Sequence, residues 1–241
     1  MTLSGSLAPM LSAIALAVGV GWVIGGSDNP TALSHALVGV PLMGLWQMGA
    51  FRTGWVLEGE RFQGTLDLLM TTRTPVSLVV FSKTLAIMSS QAVTAAIALL
   101  ILLAFAGGLV SAGNLPSLFV SALLAIGGVV AVSFVFAPLL FLVGGRGGFF
   151  NAIMPLGTVL SGFLYPTGLL PTGFEAMARL LPTAWAMEGV VRTTRGDSST
   201  GELLTDWVVA AALIGAFLAL SIWLFGKAEA RVRMSGSLGV A

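Results

Sequence analysis

The ionisable residues that could do chemistry gather in two stretches, and their types point to ion pairing and recognition rather than bond-making. The first, residues 52–77, reads RTGWVLEGERFQGTLDLLMTTRTPVS and holds Arg52, Glu58, Glu60, Arg61, Asp67 and Arg73. The second contains Glu188 and Arg192, four apart and able to meet on one helical face. Nothing in either stretch makes a nucleophile–base pair or a metal site. The chain has no cysteine, so thiolate ligands and disulfides are excluded. Its one histidine, His35, has no second His or Cys beside it, which argues against zinc or haem. No GxxxxGK[ST] occurs, and the run Gly144-Gly145-Arg146-Gly147-Gly148 lacks the lysine and hydroxyl that hold phosphate and magnesium. We therefore expect no catalytic residue, no metal, no bound cofactor and no ATP hydrolysis by this chain alone.

The elements that must position these charges are apolar. Of 241 residues 56% are hydrophobic and only 9% charged, with a mean hydropathy of +0.99. A soluble domain carries about 25% charged residues, so the expected class is an all-α integral membrane protein. A span needs about 20 apolar residues, and six segments qualify: about 5–25, 32–51, 78–106, 117–143, 149–165 and 203–226. Met1–Gly26 lacks a cationic leader and reads as a retained first span. Pro41 is expected to kink the second. With both termini on one side, that side receives Arg52, Arg61, Arg73, Lys83, Arg146, Lys227, Arg231 and Arg233, against Arg179, Arg192 and Arg195 opposite. The positive-inside rule then puts both termini and the 52–77 loop in the cytoplasm. No basic cluster of the kind that binds nucleic acid is present.

The cytoplasmic loop carries more apolar residues than a linker needs, among them Trp55, Phe62, Leu66, Leu68 and Leu69. Residues 54–63 can form a helix with Val56 and Phe62 toward the membrane surface, and Glu58 and Arg61 can pair at i,i+3. Gly64-Thr65 interrupts it, and Thr65 is suited to cap a second short helix with Asp67 in its first turn. Lys83 can snorkel to the interface. Such a surface fits either an interfacial loop or a docking site for another protein. The outer segment 166–202 is also unusually apolar and is broken by Pro166, Pro171 and Pro182 into pieces too short to span. Re-entrant or interfacial half-helices fit that length.

The run Glu58-x-Glu60-Arg61-x-x-Gly64-Thr65-Leu66-Asp67-Leu68-Leu69, followed by Thr74-Pro75 and Lys83, closely resembles the cytoplasmic signature of type-2, exporter-class ABC transporter permeases. Leu181-Pro182-Thr183-Ala184-Trp185, then Glu188 and Arg192, is similar to the same family's run after its fifth span. The two motifs and the six-span plan cover nearly the whole chain. Asp67 stands where the family often has Glu, and no Lys or Arg precedes Arg52 where the family commonly has a basic elbow helix.

The resemblance implies that residues 58–69 form a coupling helix seated on a cytoplasmic ABC ATPase. It further implies that Pro182, Trp185, Glu188 and Arg192 belong to an outer gate on a re-entrant helical hairpin. It implies two ATPase copies carrying ATP and magnesium, a second permease subunit (identical or homologous), and a place in the bacterial inner membrane. Spans with so few ionisable residues argue against a proton- or sodium-coupled carrier and suit a hydrophobic or amphipathic cargo. The competing classes are an ATP-independent channel or carrier, which needs no docking surface, and a membrane-embedded enzyme, which needs reactive residues at one depth.

Overall fold

The computed structural model describes residues 38–54, 56–65, 76–105, 115–143, 155–195 and 199–235. These residues are helical and turn structure, with no strand among them. In chain order we label α1 Val40–Gly54, α2 Val56–Phe62, α3 Val76–Phe105, α4 Leu115–Val143, α5 (residues 155–160), a 3₁₀ turn Thr167–Leu169, α6 Thr172–Ala178, α7 Pro182–Arg195 and α8 Thr200–Ser235. The expected first span, His35, residues 66–75 and the glycine-rich turn 144–148 lie outside the described residues.

Helix α4 is the hub, with α1, α7 and α8 packed against it. Its sequence explains why. Small residues recur along it, and Ser121, Ala125, Val129, Ser133 and Ala137 are fully buried. Between helices already surrounded by hydrocarbon, burying apolar surface gains little, so association rests on close packing of small residues. At Gly128 an added Cβ would meet the backbone nitrogen of Thr183 at 3.2 Å, so α7 approaches α4 nearly backbone to backbone.

Among the described residues the largest buried side chain is Trp46 of α1. It sits edge-on to Phe136 of α4, with ring centroids 5.8 Å apart, and is tilted against Phe163 at 6.4 Å. Two glycines make room around it. A Cβ on Gly157 of α5 would fall 2.1 Å from the Trp46 ring, and one on Gly39 would fall 1.7 Å from the carbonyl oxygen of Phe163. The second and fifth apolar segments therefore interlock. A π-helical turn at residues 38–39 precedes α1, and Pro41 is the second residue of α1.

The described helices do not coincide with the apolar segments. Within the fifth segment, about 149–165, the described helix ends at residue 160. Gly162 adopts φ +70°, a left-handed conformation that ends the helix, while the Ser161 hydroxyl donates to the Gly157 carbonyl at 2.6 Å. Helix α8 continues beyond the sixth apolar segment to Ser235, since KAEARVRM contains only good or tolerated helix formers. Helix α1 likewise runs on to Gly54 rather than ending at 51.

Among the described residues two stretches, Leu115–Leu139 and Thr200–Ala228, are long and apolar enough to cross a membrane. Their outer faces expose Phe119, Leu123, Leu204, Val208, Ile222 and Trp223. Water would penalise that surface, whereas lipid does not.

Candidate functional site

The two charged stretches come to rest at separate ends of the described structure. At one end the proline-broken segment folds into short helices, and each proline sits at a start. Pro166 precedes the 3₁₀ turn, Pro171 caps α6, and Pro182 is the first residue of α7. A helix start suits proline, since its missing N–H would have no partner there and its φ is already helical.

The α6–α7 corner is fastened through Trp185. Its indole N–H donates to the Arg179 carbonyl at 2.8 Å, and the Arg179 guanidinium lies over its ring, 5.2 Å from the centroid. Arg179 in turn pairs with Glu175 one turn earlier, at 3.1 Å. At Gly189 three helices meet: the Trp207 indole of α8 donates to the Ser121 hydroxyl of α4 at 2.8 Å, and a Cβ on Gly189 would press on both.

Trp185, Glu188 and Arg192 form the half-exposed stripe of α7, whose remaining side chains are largely buried. The expected pairing of Glu188 with Arg192 is replaced by two tertiary links. The Thr167 hydroxyl donates to Glu188 Oε1 at 3.0 Å, tying α7 to the 3₁₀ turn. Arg192 reaches α8, with Nη1 2.7 Å from Glu202 Oε2 and Nε 2.9 Å from Asp206 Oδ2. The physical reason is local charge: α8 offers two carboxylates one turn apart, and Asp206 is buried and needs a counter-charge. A cleft of about 260 Å³ opens between the turn at Gly162–Thr167 and α7, with Glu188 and Arg192 on its wall. The sequence reading missed Glu202 and Asp206. Their signal was an acidic i,i+4 pair opening the last apolar segment, on the side to which Arg192 was already assigned.

At the other end, α2 closes with a glycine-dependent cap. Gly64 takes φ +68°, the Thr65 N–H donates to the Glu60 carbonyl at 3.0 Å, and Gln63 N–H donates to Gly59 at 3.1 Å. Such an end satisfies carbonyls that would otherwise be orphaned. The Thr65 hydroxyl donates back to Glu60 Oε2 at 2.5 Å, so it serves the helix before it. Lys83 of α3 ion-pairs with Glu60 Oε1 across 23 residues of sequence.

Glu60 thus joins α2, its cap and α3. The Lys83 ammonium, with help from the Thr65 hydroxyl, holds its carboxyl below the usual carboxylate range. Lys83 is therefore engaged in a tertiary pair rather than simply extended toward the interface. Val56 packs on a small apolar cluster of Val80, Phe134, Ala137 and Phe225. Phe62 is 80% exposed at the tip of α2. Glu58 and Arg61 lie on the same helix; Leu66, Asp67, Leu68 and Leu69 fall outside the described residues. Among the described residues no cluster of His, Cys, Asp or Glu could hold a metal ion.

The described residues are all helix and turn, with a small capped helix ion-paired to α3 and a proline-broken run of short helices leading into α7. The chain belongs to the ABC-2 transporter family: the family model described as ABC-2 family transporter protein matches residues 11–223. No curated protein matches it. It is accordingly a membrane permease subunit of an ABC transporter, and membership implies association with an ABC ATPase.

Proposed function

We propose that this chain is the six-span permease of an ATP-driven exporter in the bacterial inner membrane, with both termini and α2 in the cytoplasm. Two ATPase subunits, holding ATP and magnesium, dock on residues 58–69 of two permeases, and the cargo is hydrophobic or amphipathic. The reading is carried by the bond set at Glu60, which makes α2 a stiff unit fixed to the start of α3. A force delivered to α2 is passed to α3 directly through an ion pair. ATP binding biases a two-state arrangement of the helices, and α2 transmits that bias. At the opposite end, α7 is held to α8 by Arg192 and to the 3₁₀ turn by Glu188. Parting these contacts would open the far side of the path. The exposed Phe62 supplies the apolar contact that a protein groove recognises.

The test is purification of the tagged chain in mild detergent with ATPase activity assayed on the eluate, beside Phe62→Glu combined with Leu69→Arg. The expected result is a co-purifying ATPase that the double variant loses while its own yield is unchanged. An ATPase retained by the variant would remove the docking assignment. A chain that emerges alone and still moves a solute in vesicles would instead indicate an ATP-independent channel or carrier.

A further inference from the structure

The cleft at α7 holds acceptor atoms and negative charge that its own contacts do not use up. Its walls are Pro166 and Thr167 on one side, and Ala184, Met187, Glu188 and Val191 of α7 on the other. Glu188 is the one acid in this lining. Its Oε1 accepts the Thr167 hydroxyl at 3.0 Å, while Oε2 accepts nothing from any described residue. The Thr167 oxygen, its proton given to Glu188, keeps lone pairs for an incoming donor. Two acceptors thus stand open on a wall that is otherwise mostly apolar.

The surrounding charge decides what they accept. Arg192 also lines the cleft, but its Nη1 and Nε are engaged by Glu202 and Asp206 of α8. Asp206 has Arg192, Glu188, Glu202 and Arg179 as charged neighbours, and Arg179 is paired with Glu175. Among the described side chains this end therefore sets four carboxylates against two guanidiniums. An anion meets that excess as repulsion. An uncharged apolar group would dry Glu188 Oε2 without giving it a partner. A bare divalent cation needs about six oxygens, more than one carboxylate and one hydroxyl supply, and no three metal-ligating residues cluster among the described ones. An organic ammonium meets every condition, with N–H donors for the two acceptors, a positive charge for the excess, and hydrocarbon for Met187, Val191 and Pro166.

We infer that the α7 cleft binds the primary ammonium of an amphipathic cation, donating to Glu188 Oε2 and the Thr167 oxygen. At about 260 Å³ the cleft takes the headgroup and the adjoining carbons, and the remainder of the molecule lies outside it. That such cations are the cargo rests on the export reading above. The Thr167–Glu188 bond is one of the contacts that part in that reading, so occupancy and opening act on the same carboxylate.

The test titrates the full chain, in phosphatidylcholine nanodiscs at neutral pH, with monodansylcadaverine, a fluorescent amphipathic primary amine. Its N-acetyl derivative keeps the body without the charge, and its succinyl amide carries a carboxylate instead. Anisotropy is read with empty nanodiscs subtracted. The amine should bind about tenfold more tightly than the acetylated form. Glu188→Gln, which keeps an acceptor for Thr167, should erase that difference, and Glu188→Asp should keep part of it. Glu202→Gln, on the solvent side of Arg192, should alter it by less than about twofold. Equal binding of the amine and the acetylated form, or tighter binding of the succinyl amide, would overturn the site. So would a loss in Glu202→Gln as large as that in Glu188→Gln, since the general field rather than the cleft would then hold the amine. A chain that co-purifies with an ATPase yet does not distinguish the amine would remove this inference and leave the export reading standing. A chain that binds the amine through Glu188 but carries no ATPase would remove the export reading and leave the cleft.

Discussion

Replacing Arg192 by alanine strands Asp206. Its carboxylate is 4% exposed, whereas Arg192 is 36% exposed and Glu202 59%. Two unit charges about 4 Å apart interact by roughly 4 kcal/mol at an effective dielectric near 20. Screening at the half-exposed guanidinium and the cost of drying Asp206 cut the net term to about 2 kcal/mol. The Glu202 partner, facing solvent, is worth under about 1 kcal/mol. Arg192→Ala should therefore lower unfolding free energy by about 2–3 kcal/mol, and Glu202→Ala by less than about 1 kcal/mol. A double-mutant cycle of Arg192→Ala with Asp206→Ala should return a coupling of about 2 kcal/mol. Equilibrium unfolding in mixed detergent, followed by the fluorescence of the nearby Trp185 and Trp207, reads the wild type, the three single variants and the two double variants that combine Arg192→Ala with Asp206→Ala or Glu202→Ala. Strictly additive losses, or a coupling to Glu202 larger than that to Asp206, would refute the assignment of Asp206 as the buried anchor.

Three further outcomes follow from the packing and the cap. Gly157→Ala puts a methyl 2.1 Å from the buried Trp46 ring and should cost about 1–3 kcal/mol of unfolding free energy. Gly173→Ala, with nothing within 4 Å, should stay within about 0.5 kcal/mol. Glu60 has a carboxyl pKa held below its ordinary 4.5, so it favours the folded state more when ionised. The stability difference between wild type and Glu60→Gln should be fully present and constant above that value, and fade as pH falls through the lowered one. A thermal-shift series across that range checks the sign, and a difference that instead grows on acidification contradicts it.

Much of the architecture was legible from composition, because a chain this poor in charge can satisfy its backbone in lipid only as helices or a closed barrel, and its long unbroken apolar runs are helical in length. The breakpoints were legible too, since Pro166, Pro171, Pro182 and the Gly64-Thr65 step announce where regular structure changes. What those residues begin or end was not. Proline forbids a helix interior equally well from a loop or from a first turn, and only the fold shows all three at starts. Partner choice was the least legible. Glu188 and Arg192 satisfy the i,i+4 rule, yet both are drawn off by tertiary partners 21 and 10 residues away. Glu60 and Lys83 are separated by 23 residues, a distance at which no local pattern operates. The contact of Gly157 with Trp46 is equally silent in sequence, because a glycine's value there lies in what it leaves empty.

Helix α8 runs unbroken for 36 residues. At 1.5 Å per residue it is about 54 Å long, well beyond the roughly 30 Å of a hydrocarbon core. One extremity is gripped at Glu202 and Asp206, while the other projects past Lys227 with no proline along its length. It is held farther along as well, since the Ser221 hydroxyl donates to the Phe134 carbonyl and Phe225 and Ala228 are buried. The helix is therefore a rod clamped at two levels, and the packing fixed by Arg192 at one level is mechanically continuous with the cluster at the other, on which Val56 of α2 rests.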